Sequence, residues 1–195
     1  MKTIEAFFLR AKHWQLFLLF VGAVGLGEMV ATAIMTASIS STGSVGSAGF
    51  VWGAIMALGM LCFVGWFWAL GTFLNSISQP SLRLKPSFFR FALIYPVLYI
   101  FLAAPFFLNP DTSMFAIILP LHFFAMFCLF YDLYFVSKHL VIAETGKGAT
   151  FYDFAGPFFL IWFFPVGIWF VQPRINRFYA ERNRAEVLAE NAAKP

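Results

Sequence analysis

Charged residues are scarce in this chain of 195 residues, where Asp, Glu, Lys and Arg together make up 11%. An ordinary soluble domain is about one quarter charged, whereas 61% of this sequence is hydrophobic. Such a chain would aggregate in water, so the composition excludes a soluble globular protein and indicates that lipid is the solvent. The 13 basic residues against 9 acids are more typical of membrane topology than of nucleic-acid binding.

Cysteine and histidine are scarce as well. Cys62 and Cys128 lie in apolar runs, which favours buried thiols over a disulfide or metal site. His13, His122 and His139 do not form a short metal-binding motif, and no catalytic signature such as Gly-x-Ser-x-Gly occurs. The sequence therefore favours a non-enzymatic protein with no catalytic residue, metal or cofactor. Haem held by His13 and His139, or a bound quinone, is an open alternative.

Long apolar runs are what the sequence does have. A spanning helix needs about 20 residues, and four runs meet that length. They predict spans at residues 14–36, 50–74, 88–108 and 113–136. Residues 1–13 alternate apolar and charged side chains at helical spacing, which predicts an interfacial helix. We expect an all-α polytopic membrane protein, a four-helix transmembrane bundle in a single domain covering residues 1–195.

Small residues recur at four-residue spacing in the first two spans and let helix backbones approach closely. We expect these two spans to form a tight hairpin. Residues 38–49, rich in Ser and Gly, are expected to form a flexible exposed connection, and residues 109–111 a tight turn. The predicted ridges are Ala23, Gly27 and Ala31 on one span and Gly49, Gly53 and Ala57 on the other.

Residues 154–172 are apolar enough to cross but contain Pro165 and Gly167. With a cytoplasmic N-terminus and four spans, every Lys and Arg lies inside if this segment returns. A fifth span would put five of the thirteen basic residues outside, against the positive-inside bias. We therefore expect a re-entrant or in-plane helix-break-helix, broken near 165–167, with both termini cytoplasmic. A true fifth span is the alternative.

The basic tail at residues 173–195 follows this segment. Trp side chains favour the headgroup level, and cations near a membrane surface attract anionic lipids. We expect the tail and the two flanking Trp residues to contact anionic headgroups, a protein partner or a second copy of the chain. The residues expected to face lipid or partner are Trp162, Trp169, Arg174, Arg177, Arg182 and Arg184.

Three ionisable residues lie deep inside predicted spans, where each costs a few kcal/mol. Glu28 and His122 fall at similar depth in the outer half, so we expect Glu28 to pair with His122. Asp132 lies ten residues after His122, on nearly the same helix face. These residues form a candidate polar site with two interpretations: a proton or ion path, or polar groups that satisfy one another.

Residues 122–136, HFFAMFCLFYDLYFV, and 158–176, FFLIWFFPVGIWFVQPRIN, resemble a group of small bacterial integral membrane proteins of unassigned function. The resemblance covers roughly the last 80 residues and implies a bacterial inner-membrane location. The leading hypothesis is a scaffold or accessory subunit that binds a partner or lipids through its aromatic, basic cytoplasmic face. The alternative is a small proton- or ion-coupled transporter or channel component that uses Glu28, His122 and Asp132.

Overall fold

The computed structural model describes residues 2–44, 46–108 and 114–193, and these residues are almost entirely helical, without a strand. The helices in chain order are α1 (Lys2–Arg10), α2 (His13–Phe17), a π-helix (Leu18–Gly25), α3 (Leu26–Thr42), α4 (Gly46–Ile77), a 3-10 turn (Pro80–Leu82), α5 (Pro86–Leu108), α6 (Phe115–Thr145), α7 (Phe151–Trp162) and α8 (Phe164–Ala192). The predicted turn at 109–111 lies outside the described residues.

Four helical segments among the described residues are long and apolar enough to cross a membrane. They are His13–Thr42, Ala48–Ile77, Pro86–Ala103 and Phe115–Thr145. The fold is therefore that of an all-α, multi-pass membrane protein, which confirms the predicted class and the four spans.

The first span extends further than its apolar run predicts. The expected flexible connection at 38–49 is wrong, because α3 continues to Thr42 and α4 begins at Gly46. The hydroxyl of Ser40 donates to the Thr36 carbonyl and that of Thr42 to the Ser38 carbonyl. These bonds satisfy the polar side chains locally, so the helix continues until Gly43 ends it with a φ of 71°.

The chain forms two compact units, Met1–Trp66 with Phe163–Pro195, and Phe67–Trp162. We call them unit 1 and unit 2. In unit 1, α3 and α4 pack as the expected hairpin. A Cβ atom placed on Gly27 would lie 3.3 Å from Cγ2 of Ile55, and one placed on Gly59 only 2.6 Å from Cγ1 of Val24.

Gly27 lies in this contact as predicted, whereas Gly53 and Ala23 do not. Gly53 has nothing within 4 Å of an added Cβ, and Ala23 is exposed although Ala31 is buried. The cause is the π-helix that ends at Gly25. Its hydrogen bonds join residues five apart, which rotates Ala23 away from the face a regular α-helix would give it. Val24 occupies the contact instead.

Unit 2 has its core at the end of the helices where α4 stops and α5 starts. Phe89 stacks on Phe135 with ring centroids 4.3 Å apart, and the Phe89 ring also covers Gly71 so closely that no Cβ fits there. Towards the other end several large apolar side chains are exposed, with Leu102 at 81% and Phe123 at 64%. Exposed apolar side chains of this kind suit contact with lipid.

A connection rich in hydrogen bonds closes the core end of unit 2. The Arg83 guanidinium donates to the carbonyls of Ser78 and Ser76 at the end of α4. The Asn75 amide exchanges two hydrogen bonds with the backbone of Leu84, each 3.2 Å long. These bonds satisfy carbonyls that a helix end leaves without partners.

The apolar segment at 154–172 is broken, as expected, but not at the expected residues. The break lies at Phe163, between α7 and α8, and Gly167 is helical and buried. Pro165 occupies the first turn of α8, where its missing N–H costs no hydrogen bond. A helix passing through Pro165 would clash at the Ile161 carbonyl, so the helix ends before the proline.

Each half of the broken segment runs antiparallel to a spanning helix of its own unit. In unit 2, Phe154 of α7 contacts Tyr134 of α6, and further along α7 Trp162 contacts Phe130. In unit 1, Phe164 at the start of α8 contacts Phe20 of the π-helix. Further along α8, Trp169 contacts His13 and Phe17.

Candidate functional site

One buried amide joins three helices of unit 1. The Gln172 side chain in α8 is fully buried, and its Nε2 donates to the carbonyls of Phe8 at 2.8 Å and Ala11 at 3.0 Å. Its Oε1 accepts a hydrogen bond from Nε1 of Trp66 in α4 at 3.2 Å. Both donors and the oxygen of the amide are thus used, which fixes the end of α1 against α8.

Asn176, one turn further along α8, repeats the contact. Its Nδ2 donates to the carbonyls of Leu9 at 2.7 Å and Ala11 at 3.1 Å. Arg10 then lies over the ring of Tyr179, 5.6 Å from the centroid. A helix end leaves its last carbonyls without partners, so the two amides of α8 serve as the C-cap of α1.

The segments that these contacts join carry exposed apolar rings and exposed cations. Exposure is 57% for Phe7, 45% for Trp14, 45% for Trp169 and 57% for Phe170. We call these exposed side chains the α1–α8 surface. Its members are Ile4, Phe7, Arg10, Lys12, Trp14, Trp169, Phe170 and Arg177.

The other residues expected to face lipid or a partner lie in different surroundings. Arg182 pairs with Glu186 at 2.9 Å, and Arg177 with Glu181 at 3.9 Å. Arg184 is exposed and Arg174 half-buried. Because carboxylates one turn away offset part of the charge, the distal half of α8 is less basic than a count of arginines suggests. Trp162 belongs to unit 2, where it packs on Phe130 at 4.9 Å and is 45% exposed.

The three intramembrane candidates are divided between the units. Glu28 is in unit 1, and its Oε1 is buried with no hydrogen-bond partner among the described residues. His122 and Asp132 are both on α6 in unit 2. The exposed His122 has its Nδ1 3.1 Å from the hydroxyl of Tyr99, so the partner observed for it is a tyrosine. The pairing of Glu28 with His122 stays a prediction.

Asp132 is the most enclosed of these three. Its exposure is 1%, and both carboxyl oxygens lack a hydrogen-bond partner among the described residues. A buried polar group without a partner costs about 1–3 kcal/mol, and a charged one costs more. Asp132 therefore calls for an explanation that the protein atoms around it do not supply.

His139 is considered in the sequence analysis only as a haem ligand together with His13, and not as a neighbour of Asp132. Helix α6 continues to Thr145, and His139 is fully buried on it. Its Nδ1 lies 2.8 Å from the Phe135 carbonyl, and its Nε2 has no partner among the described residues. A spacing of seven residues places Asp132 and His139 on one helix face, and that spacing was the available signal.

Asp153 lies outside the spanning helices, at the start of α7. Its carboxylate accepts hydrogen bonds from the backbone N–H and the hydroxyl of Thr150, each 2.7 Å long. These two bonds favour the charged form and lower the pKa of Asp153 below its ordinary value. The Asp153 carboxylate thus satisfies the backbone N–H of Thr150 at the start of α7, which is one half of a capping box.

The part of the chain that the structure describes contains no cluster of metal ligands. No group of three His, Cys, Asp or Glu side chains there could hold a metal ion. Cys62 is half-buried and Cys128 buried, both with free thiols.

Comparisons with protein-family models, curated proteins and solved structures found no match to this chain. The case for a function therefore rests on two features, the α1–α8 surface of unit 1 and the unpartnered polar atoms of α6.

Proposed function

We propose that this chain is a non-enzymatic multi-pass membrane protein that binds anionic lipid headgroups through the α1–α8 surface. In this proposal the protein resides in a bacterial inner membrane with both termini in the cytoplasm. Lipid binding through a fixed surface would serve a scaffold or accessory subunit.

The observation that carries the proposal is the hydrogen-bonded clamp of Gln172 and Asn176 on the end of α1. It holds α1 and α8, distant in sequence, against each other, with exposed rings and cations on both. Rings such as Trp14 and Trp169 suit the headgroup level, and each nearby cation contributes about 1 kcal/mol of attraction to an anionic leaflet.

The order of contacts along α8 supports a common side for the two termini. Within unit 1, α8 begins beside Phe20 and passes His13 before Tyr179 meets Arg10. Phe20 lies seven residues after His13, so α8 would begin about 10 Å inside the membrane and then leave it. That path is the one expected of a returning segment.

The contacts and the length of α7 in unit 2 support the same returning path. Helix α7 starts beside Tyr134, whose hydroxyl accepts a hydrogen bond from Lys138 at 2.8 Å, and proceeds to Phe130. Its 12 residues extend about 18 Å, less than the 30 Å of a hydrocarbon core. This length favours an entry that stops part-way and weighs against a fifth span.

Lipid-dependent stability in nanodiscs tests the proposal. The thermal unfolding midpoint of the full chain should be higher in discs that contain phosphatidylglycerol than in discs of phosphatidylcholine alone, because the α1–α8 surface attracts the anionic headgroups. Replacing Arg10 and Lys12 by Gln should remove about 2 kcal/mol of that gain, or roughly 4–8 °C, and added salt should do the same.

The matched control removes the same charge from the distal part of α8, with Arg182→Gln and Arg184→Gln. It should keep most of the lipid-dependent gain. Equal midpoints in both lipids would rule out anionic-lipid binding. Equal losses in the two double variants would show that net charge, and not the α1–α8 surface, is responsible.

A second candidate function, proton- or ion-coupled transport, is favoured by the unpartnered oxygens of Glu28 and Asp132. Proton- or cation-driven uptake by the purified protein in liposomes, lost in Glu28→Gln and Asp132→Asn, would establish it. Absence of flux in liposomes that contain correctly folded protein would leave the lipid-binding proposal as the sole candidate.

A further inference from the structure

The unpartnered atoms of Asp132 and His139 have a common chemical character. The Phe135 carbonyl can only accept, so the His139 Nδ1, 2.8 Å away, is the donor. A neutral imidazole with Nδ1 protonated has a bare lone pair on Nε2. The Asp132 oxygens accept as well when the carboxyl is charged. Three acceptors without a donor are therefore enclosed on one face of α6.

The surroundings offer little positive charge to neutralise Asp132. On α6 the neighbouring titratable groups are Cys128, Tyr131 and Lys138, and Lys138 donates to Tyr134. Helix α5 contributes Tyr95, Tyr99 and Arg90; the Arg90 guanidinium lies over the ring of Trp68 at 5.3 Å. Helix α7 contributes the exposed Tyr152 and Asp153, and residues 67–77 of α4 contain no titratable side chain.

A metal cation is not favoured by the ligands present. No third carboxylate, imidazole or thiol among the described residues completes a set with these two. A donor that suits three acceptors in a protein interior is a bound water together with one proton, because buried waters commonly join polar groups that lack other partners.

We propose that Asp132 and His139 bind one exchangeable proton between them through buried water. The two Cα atoms are roughly 10 Å apart, at 1.5 Å per residue. Helical side chains lean towards the N-terminus, and the longer imidazole of His139 extends further towards Asp132 than the Asp132 carboxyl leans away. One or two water molecules then fill the remaining gap.

With the proton on Asp132, its O–H donates to the water, and the water donates to Nε2 of His139. A second water donates to the other Asp132 oxygen, so that all three atoms have a partner. The proton moves when the Asp132 O–H bond breaks and a new O–H bond forms on the first water, while another O–H bond of that water breaks and its hydrogen bonds to Nε2. The product is an Asp132 carboxylate and a His139 imidazolium. No electrons are transferred and no co-reactant is needed.

Infrared difference spectroscopy on the purified full-length protein tests the proposal. The spectrum should contain a carboxylic C=O stretching band that disappears in Asp132→Asn and shifts to lower frequency in heavy water. In His139→Phe the band should move to higher frequency, because the water loses its acceptor and binds the carboxyl more weakly. The variant Asp153→Asn is the matched control and should leave the band unchanged, since that carboxylate is exposed.

Four results would overturn the proposal. They are a band absent from the wild-type protein at neutral pH, a band that His139→Phe does not move, a band that heavy water does not shift, and a band that sodium or potassium ions abolish. The last result would mean a cation site. Asp132→Asn is isosteric and removes no hydrogen bond within the protein. If it fails to fold, the His139→Phe shift and the heavy-water shift in the wild-type protein still decide.

Discussion

Buried polar side chains determine most of what is distinctive in this protein at the scale of single residues. The Gln172 side chain is buried in apolar surroundings, but all of its amide atoms are hydrogen-bonded. Asp132 has the opposite character, because it is equally buried and its oxygens are unpaired. The first arrangement stabilises the fold, whereas the second is the kind that functional sites maintain.

Replacing Gln172 by Leu should destabilise the protein strongly. The change removes the hydrogen bonds to the Phe8 carbonyl and from the Trp66 N–H, at about 1–3 kcal/mol for each buried group, whereas the Ala11 carbonyl keeps its bond to Asn176. Thermal unfolding in detergent should show a large drop in midpoint. The control is Asn191→Leu on the exposed end of α8, which should change it little. Similar midpoints for both variants would show that the clamp contributes no stability.

The hydrogen bonds of Gln172 could not be predicted from the sequence. The residues joined by the Gln172–Phe8 bond are 164 positions apart, and neither has a local pattern that predicts the other. By contrast, the four spans follow from length and hydropathy because a bilayer fixes both. His139 was not grouped with Asp132 because the α6 helix continues beyond its predicted apolar run, and tertiary packing, not local composition, buries it.

At the scale of elements, departures from the regular α-helix decide which residues meet. The π-helix at Leu18–Gly25 changes the face that the first span presents, so four-residue spacing identified the hairpin and Gly27 but not the contact of Val24 with Gly59. A similar reason explains why the break lies at Phe163 and not at the predicted residues 165–167. The composition predicts that Pro165 breaks the helix, whereas a proline in the first turn stabilises a helix start. Patterns along a sequence assume regular geometry, and these two elements depart from it.

The hairpin of α3 and α4 gives a paired test of that conclusion. Gly59→Ala should destabilise by about 1–3 kcal/mol, because the new methyl overlaps Val24, a stiff β-branched side chain. Gly53→Ala should be neutral or stabilise by up to about 1 kcal/mol, since space is open there. Chemical denaturation in mixed micelles measures both. If Gly53→Ala destabilised the protein more than Gly59→Ala, the contact predicted from four-residue spacing would be correct.

The start of α7 should respond to acid. The pKa of Asp153 is lower in the folded protein than its ordinary value of 3.8, so its bonds to Thr150 stabilise the first turn above that pH. This contribution is lost as the pH falls through the lowered folded pKa. Hydrogen exchange of the α7 amides should therefore accelerate in acid relative to the Asp153→Asn variant. Parallel pH profiles in the two proteins would exclude this role.

At the scale of the whole molecule, the chain has an all-α fold with four candidate spans. Residues 154–172 are proposed to enter the membrane and return to the same side. The charge distribution, the short α7 and the contacts of α8 with α1 each favour a segment that returns to its side of entry. If the tail crossed instead, the α1–α8 surface would lose its proposed membrane setting. Topology is therefore the central claim.

Cysteine labelling in intact cells tests that claim most directly. With Cys62 and Cys128 replaced by Ser, one cysteine is placed at Asn191 and, in a second protein, one at Ser44 between α3 and α4. We expect a membrane-impermeant thiol reagent to label the Ser44 variant in intact cells and the Asn191 variant only after permeabilisation. Labelling of both variants in intact cells would place the tail outside, make residues 154–172 a fifth span and contradict the account.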